Sequence, residues 1–201
     1  PLRCRAASFR CGGERVLVIS GDVLTDFDLG AIVRAHEERR AEATIALTPV
    51  ENPLAFGIVI ADPETGRIER FLEKPTWGEV FSDTINTGIY VLEPEAIMRV
   101  PPQTNVDFSR DLFPQMLREE ARLFGHIAEG YWRDVGNLNE YRRANDDALA
   151  GRVRITPRGE RREVQGAVVW GESGATLARD VTLRGTVLLG RNVEVGPGSV
   201  L

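Results

Sequence analysis

The sequence predicts an α/β protein: a mixed sheet with helices, followed by the start of a left-handed parallel β-helix. Three observations predict it. Short apolar runs and an amphipathic helix alternate near the amino end. Later runs are paired around tight-turn signals, as in hairpins. After Gly151 an apolar period of six residues takes over.

Each element has a local reason. Val16-Leu-Val-Ile19 is a continuous apolar run, expected of a strand covered on both faces. Asp26 or Asp28 can cap a helix over about 29–40 that places Leu29, Ile32, Val33 and His36 on one face. Residues 43–48 read as a second strand stopped by Pro49, which makes a crossover unit of a parallel sheet. A hairpin follows, with strands at 56–60 and 67–72 around Asp62-Pro-Glu-Thr-Gly66. Gly88–Leu92 is a further strand. Residues 108–120 read as a helix started or interrupted by Pro114. Strands at 122–128 and 132–134 come next, and Asn137 caps a helix reaching Leu149.

In the tail, Leu177, Leu183, Leu189, Val195 and Leu201 keep a spacing of six, and Val181, Val187 and Val193 follow the first three by four. Glycines at 185, 190, 196 and 198 supply turns. Hexapeptide repeats of this kind stack apolar side chains inside a left-handed parallel β-helix. The last coil, cut at Leu201, is expected to be open, and its strand edges favour a homo-oligomer joined through the β-helix. The division expected is 1–151 for the mixed-sheet domain and 152–201 for linker and β-helix.

Composition narrows the function. Of 201 residues, 42% are apolar and 27% charged, an ordinary globular balance. Thirty acids against 25 bases give a net charge of −5 without a basic stripe, which disfavours nucleic acid as a partner. Cys4 and Cys11 form no metal-binding pattern with a histidine, so zinc and a disulfide framework are not expected. No apolar run approaches the length of a membrane span, and the start has no apolar leader core. A cytoplasmic protein is expected.

Two aspartates draw attention. Asp22 stands at the carboxyl end of the first strand, where ligands gather in open α/β sheets. Asp134 shares one strand face with Trp132 and precedes Gly136. Both could serve one Mg2+, an ion that takes one or two carboxylates plus substrate phosphates. As single residues they have other readings, a turn for Asp22 and a cap or a partner of Arg133 for Asp134. Glu73-Lys74 before Pro75 is either a solvated strand end or a site holding hydroxyls and a phosphate. His36 and His126 read as packing residues.

The stretches VLVISGD, FGIV, FLEKP, INTGIY and YWRDVGNLNEY, in that order and ahead of a hexapeptide tail, resemble the sugar-1-phosphate nucleotidylyltransferases. Within that family the chain is most similar to bacterial mannose-1-phosphate guanylyltransferases carrying a left-handed β-helix. The resemblance covers residues 14–201 and implies an incomplete Rossmann-like nucleotidyltransferase domain. It implies Asp22 and Asp134 as Mg2+ ligands. Asp22, Lys74 and Asp134 become the catalytic set, with Lys74 on the sugar phosphate. Gly57, Glu73, Asn86, Thr87 and Gly88 become sugar-binding residues, with Trp132 packed beside them.

The implied substrates are a sugar 1-phosphate and a nucleoside triphosphate, mannose 1-phosphate and GTP being favoured. A glucose-1-phosphate uridylyl- or thymidylyltransferase is the alternative enzyme, and a non-catalytic regulatory subunit of the same fold is the alternative class. The family's glycine-rich loop, of the form G-G-x-G-T-R-L, has no counterpart here, since Gly12-Gly13 is too short and opens no helix. Residues 1–11 also depart from the family pattern, as a shifted reading frame would. Little turnover is therefore expected of this chain by itself.

Overall fold

The computed structural model describes residues 3–5, 13–53, 56–73, 83–101 and 104–201, with residues 3–5 and Glu73 described by backbone alone. The chain divides into two compact units, Pro1–Gly136 and Asn137–Leu201.

The first unit is built on β1 (Arg3–Arg5), β2 (Val16–Ile19), β3 (Val23–Thr25), α1 (Leu29–Glu38), β4 (Ala43–Pro49), β5 (Gly57–Ala61), β6 (Ile68–Glu73) and β7 (Thr84–Leu92). It continues through α2 (Pro94–Met98), β8 (Asn105–Asp107), a π-turn (Phe108–Leu112), α3 (Phe113–Arg118), β9 (Leu123–Ile127) and β10 (Trp132–Asp134). A six-stranded mixed sheet results. Its central strand β7 pairs antiparallel with β4 along one edge, and with β2 and β5 along the other. The parallel pair is β4 with β9.

Two expectations change here. β2 and β4 do not pair, because β7 lies between them. Nor is β2 covered on both faces: Leu17 is 40% and Ile19 41% exposed. Its only partner among the described strands is β7.

Apolar clusters fill both faces of the sheet. On one, Ala43, Ile45, Leu47, Tyr90 and Leu92 pack with Phe108, Leu112, Phe113 and Met116 from the π-turn and α3. On the other, Ala46, Ile89 and Val91 meet Phe27 and Ile32. α1 starts where expected: the Asp28 side chain accepts from the Ala31 N–H, supplying one of the helix's orphan donors. Asp26, the other candidate cap, accepts instead from the Tyr131 N–H at 2.7 Å.

The 62–66 turn also forms as read. Asp62 Oδ1 accepts from the N–H groups of Glu64 and Thr65 and from the Thr65 hydroxyl. Gly66 closes the turn at φ +73°, a conformation that suits glycine. The 108–120 segment is not one α-helix. Pro114 has no N–H to donate back along the chain, and the five residues before α3 open into the wider π geometry.

The second unit contains α4 (Leu138–Leu149), capped by the Asn137 side chain, then β11 (Glu160–Val164), β12 (Ala167–Gly171), β13 (Thr176–Leu177), β14 (Thr186–Leu189) and β15 (Glu194–Val195). β11 and β12 form a hairpin. Beyond it all pairing is parallel: Val168 faces Thr186, Thr176 faces Glu194 and Thr182 faces Val200, each eighteen residues on. Val169, Val181, Leu183, Val187 and Leu189 form its small core. Among the described residues no helix is long and apolar enough to cross a membrane.

Candidate functional site

The carboxyl end of β2 and the carboxyl end of β10 meet through β3. β3 and β10 pair antiparallel, with Val23 opposite Asp134 and Thr25 opposite Trp132. The Val135 N–H donates to the Asp22 carbonyl at 2.7 Å, so the two aspartates stand at the ends of adjoining hydrogen-bonded segments. The Thr25 hydroxyl and the Asp26 carboxylate both bond the Tyr131 backbone and lock this register. Ser20 ties the corner to β7, its N–H donating to the Gly88 carbonyl at 2.9 Å, while its hydroxyl donates to Asp22 Oδ1. Gly136 follows closely, and an added Cβ there would only touch the Asp134 carboxylate, 3.4 Å from Oδ2.

A cavity of about 520 Å³ opens beside this corner. Asp22, Gly57, Asn86, Thr87, Gly88 and Asp134 all line it, so the structure brings six of the eight sequence-predicted site residues together. Glu73 ends β6 opposite Gly57, but its side chain lies outside the described residues, as does all of Lys74. A Cβ added to Gly57 meets no atom of the described residues within 4 Å, so their packing does not require glycine there.

The Asn86-Thr87-Gly88 segment differs from the expected turn. β7 starts at Thr84, not Gly88, and the three residues form an irregularity inside it, where the register against β4 shifts between Ile45 and Leu47. Extra residues in one strand, here two in β7, bend the chain and re-aim its side chains. Gly88 adopts φ +78°, and its N–H is taken by Asn86 Oδ1 at 2.9 Å. Thr87 turns inward, 1% exposed, with its hydroxyl donating to the Ala46 carbonyl at 2.7 Å. Asn86 Nδ2 donates to Ser109 Oγ at 3.0 Å. Much of this segment's hydrogen-bonding capacity therefore shapes the wall.

The aromatic lining is equally ordered. Trp132 donates its indole N–H to the Thr87 carbonyl at 2.9 Å and meets Phe56 edge-on, ring centres 5.7 Å apart. Such a pair offers an apolar platform with a polar rim. Tyr90, 2% exposed, also lines the cavity. Burial pushes its hydroxyl pKa up, against the opposing effect of hydrogen bonds with Ser109 and Asn86.

Phe56, Tyr90, Asp107, Ser109 and Arg110 are cavity residues that sequence reasoning did not place in the site. Asp107 carried a readable signal, an acid before a helical segment, and it accepts from the N–H groups of Ser109 and Arg110. The others reach the cavity through non-local pairing.

The carboxylates suit a hard divalent cation with oxygen ligands. Among the described residues no cluster of three or more His, Cys, Asp or Glu suggests a closed metal site.

The family described as nucleotidyl transferase matches residues 4–151. A mannose-1-phosphate guanylyltransferase of Mycobacterium tuberculosis is 34% identical over 189 residues, covering 94% of this chain and 51% of that protein. A Xenopus laevis mannose-1-phosphate guanyltransferase beta-B is 36% identical over 129 residues, covering 64% of this chain and 34% of its own. The chain thus spans about half or less of the curated relatives it matches. Among solved structures, a Bacillus anthracis protein assigned as a glucose-1-phosphate thymidylyltransferase, crystallised with sucrose, superposes with a TM-score of 0.56 at 25% identity. That likeness covers 72% of this chain and 58% of the other.

Proposed function

The chain belongs to the nucleotidyl transferase family, and from that premise we propose that it serves GDP-mannose synthesis from mannose 1-phosphate and GTP. The observation that carries the proposal is the convergence of Asp22 and Asp134 on one cavity with Gly57 and the Asn86–Gly88 wall. An acid corner beside an apolar aromatic face matches a ligand that is part phosphate and part sugar ring.

In the reaction, a phosphate oxygen of the sugar 1-phosphate attacks the α-phosphorus of GTP. A new P–O bond forms, the bond to the β-phosphate bridge breaks, and pyrophosphate leaves. Asp22 and Asp134 would hold Mg2+, which when bound neutralises phosphate charge. The remaining work is positioning. Gly57 leaves open space at the wall, the edge-on Phe56–Trp132 pair presents an apolar surface to the ring, and the Asn86 amide holds the bend of β7 in shape. Glu73 would accept from sugar hydroxyls and Lys74 would neutralise phosphate, as the motif resemblance implies.

The parallel coils with an eighteen-residue repeat fit a left-handed β-helix of hexapeptide repeats, with 152–201 as linker and coil following a catalytic portion at 1–151. Self-association through that coil and a cytoplasmic setting complete the reading.

Titration of the chain with mannose 1-phosphate and Mg2+, followed by NMR at the Trp132 indole and the Gly88 amide, tests it. The expected result is perturbation at both, stronger for mannose 1-phosphate than for glucose 1-phosphate. Asp134→Asn is expected to abolish the part of the affinity that depends on Mg2+ while leaving the fold unchanged. Ligand-induced shifts confined to other surfaces would overturn the assignment.

A further inference from the structure

Arg110 has no part in the motifs that identify the family, yet it lines the same cavity as Asp22 and Asp134. Among the described lining residues the charged groups are three carboxylates, Asp22, Asp107 and Asp134, and one cation, Arg110. An anionic ligand entering such a cavity meets net repulsion unless cations are placed to receive it. We infer that Arg110 binds the phosphate group of the sugar 1-phosphate, an assignment that rests on the function proposed above.

Its placement is specific. Asp107 is 8% exposed and turns its Oδ1 onto the N–H groups of Ser109 and Arg110. Asp111 holds the Asp107 N–H at 2.8 Å. These bonds fix the backbone at the start of the π-turn, while Phe108 and Leu112 on either side are buried in the core. The wider π geometry carries Ser109 and Arg110 to the cavity between those two anchors, and π-turns are often found where a side chain must be re-aimed for function. Ser109 joins the Asn86–Tyr90 wall. Arg110, one residue on and exposed, carries a planar guanidinium, a group that matches phosphate geometry through two parallel N–H groups.

Arg110 differs in kind from the wall residues. Its removal should affect recognition of the phosphate and not of the sugar. Calorimetric titration of the chain with mannose 1-phosphate and with mannose, both with Mg2+, reads that difference. Arg110→Met is expected to weaken mannose 1-phosphate on the order of tenfold or more, the scale of a lost charged hydrogen bond. Mannose affinity and the unfolding temperature should stay unchanged. Arg110→Lys should recover part of the loss, since charge returns without the fork.

Equal binding of mannose 1-phosphate by Arg110→Met and the unmodified chain would overturn the inference and leave the functional proposal standing. Equal weakening of both ligands would overturn it too, by making Arg110 a shaping residue. Failure of the unmodified chain to bind any sugar phosphate would overturn the functional proposal, and this inference with it.

Discussion

β2 and β4 are both short apolar strands, both antiparallel to β7, one on each side of it. Their burial is opposite. From Ala43 to Thr48 every residue of β4 is buried, whereas β2 alternates between half-buried and exposed. Composition does not make the difference, since VLVI is the more apolar of the two. Neighbours do: β4 has β7 and β9 at its edges and α1 among its contacts, and β2 has β7 alone among the described strands. The site takes from both. β2 delivers Ser20 and Asp22, and β4 supplies the carbonyl of Ala46 that holds Thr87. A rigid strand thus fixes the wall, and a lightly packed one carries an acid.

The sharpest way to break this comparison is to truncate one apolar side chain on each strand. Ile45→Ala on β4 takes atoms from a fully buried cluster, and the expected cost is about 2–5 kcal/mol, including the cavity left behind. Denaturant unfolding monitored by Trp fluorescence would measure it. A cost below 1 kcal/mol, on the scale typical of surface positions, would mean that β4 is not the rigid partner.

A middle-sized effect concerns the helix over β4. His36 is fully buried, Nδ1 at 2.8 Å from the Thr44 hydroxyl and Nε2 at 3.1 Å from Glu93 Oε1. Burial holds its pKa below the ordinary 6.5, against the opposing effect of the hydrogen bond to the Glu93 carboxylate. Glu93, which burial alone would raise, is lowered by Arg15 and His36. The unfolded chain therefore takes up the histidine proton more readily than the folded one. The stabilisation is complete above the unfolded value and is lost as pH falls from there through the folded value. The melting temperature should drop between pH 7 and pH 5, and His36→Gln should flatten that part of the profile. An unchanged slope in the variant would remove His36 as the cause.

The smallest expected effect is on β2. Leu17→Ser, at an exposed position, should change stability by no more than about 0.5 kcal/mol. A loss as large as that of Ile45→Ala would show that β2 is covered in solution.

These differences also mark what the sequence discloses. The α1 cap at Asp28, the Asp62–Gly66 turn and the Asn137 cap were legible because each is decided within a few residues. Asp22 and Asp134 were legible as strand-end acids, although their adjacency depends on β3 pairing with β10 across more than a hundred residues. The exposure of β2 was not legible, because an apolar run shows its preference for burial and not how many neighbours it has. β7 was read too short, since Asn-Thr-Gly looks the same as a turn or as an irregularity within a strand. Pro114 correctly marked a break in the 108–120 helix, but the π geometry of the segment that holds Arg110 was not legible, since the burial of Phe108 and Leu112 there depends on distant parts of the chain.

The parallel pairing of the second unit has a consequence for change over time. Because the parallel-paired residues there stand eighteen positions apart, a gain or loss of that many residues returns their side chains to equivalent neighbours. An increment that is not a multiple of six, the apolar period of this segment, rotates inward residues outward. Growth of this unit is therefore quantised, and its length can vary by whole layers without redesign of its interior.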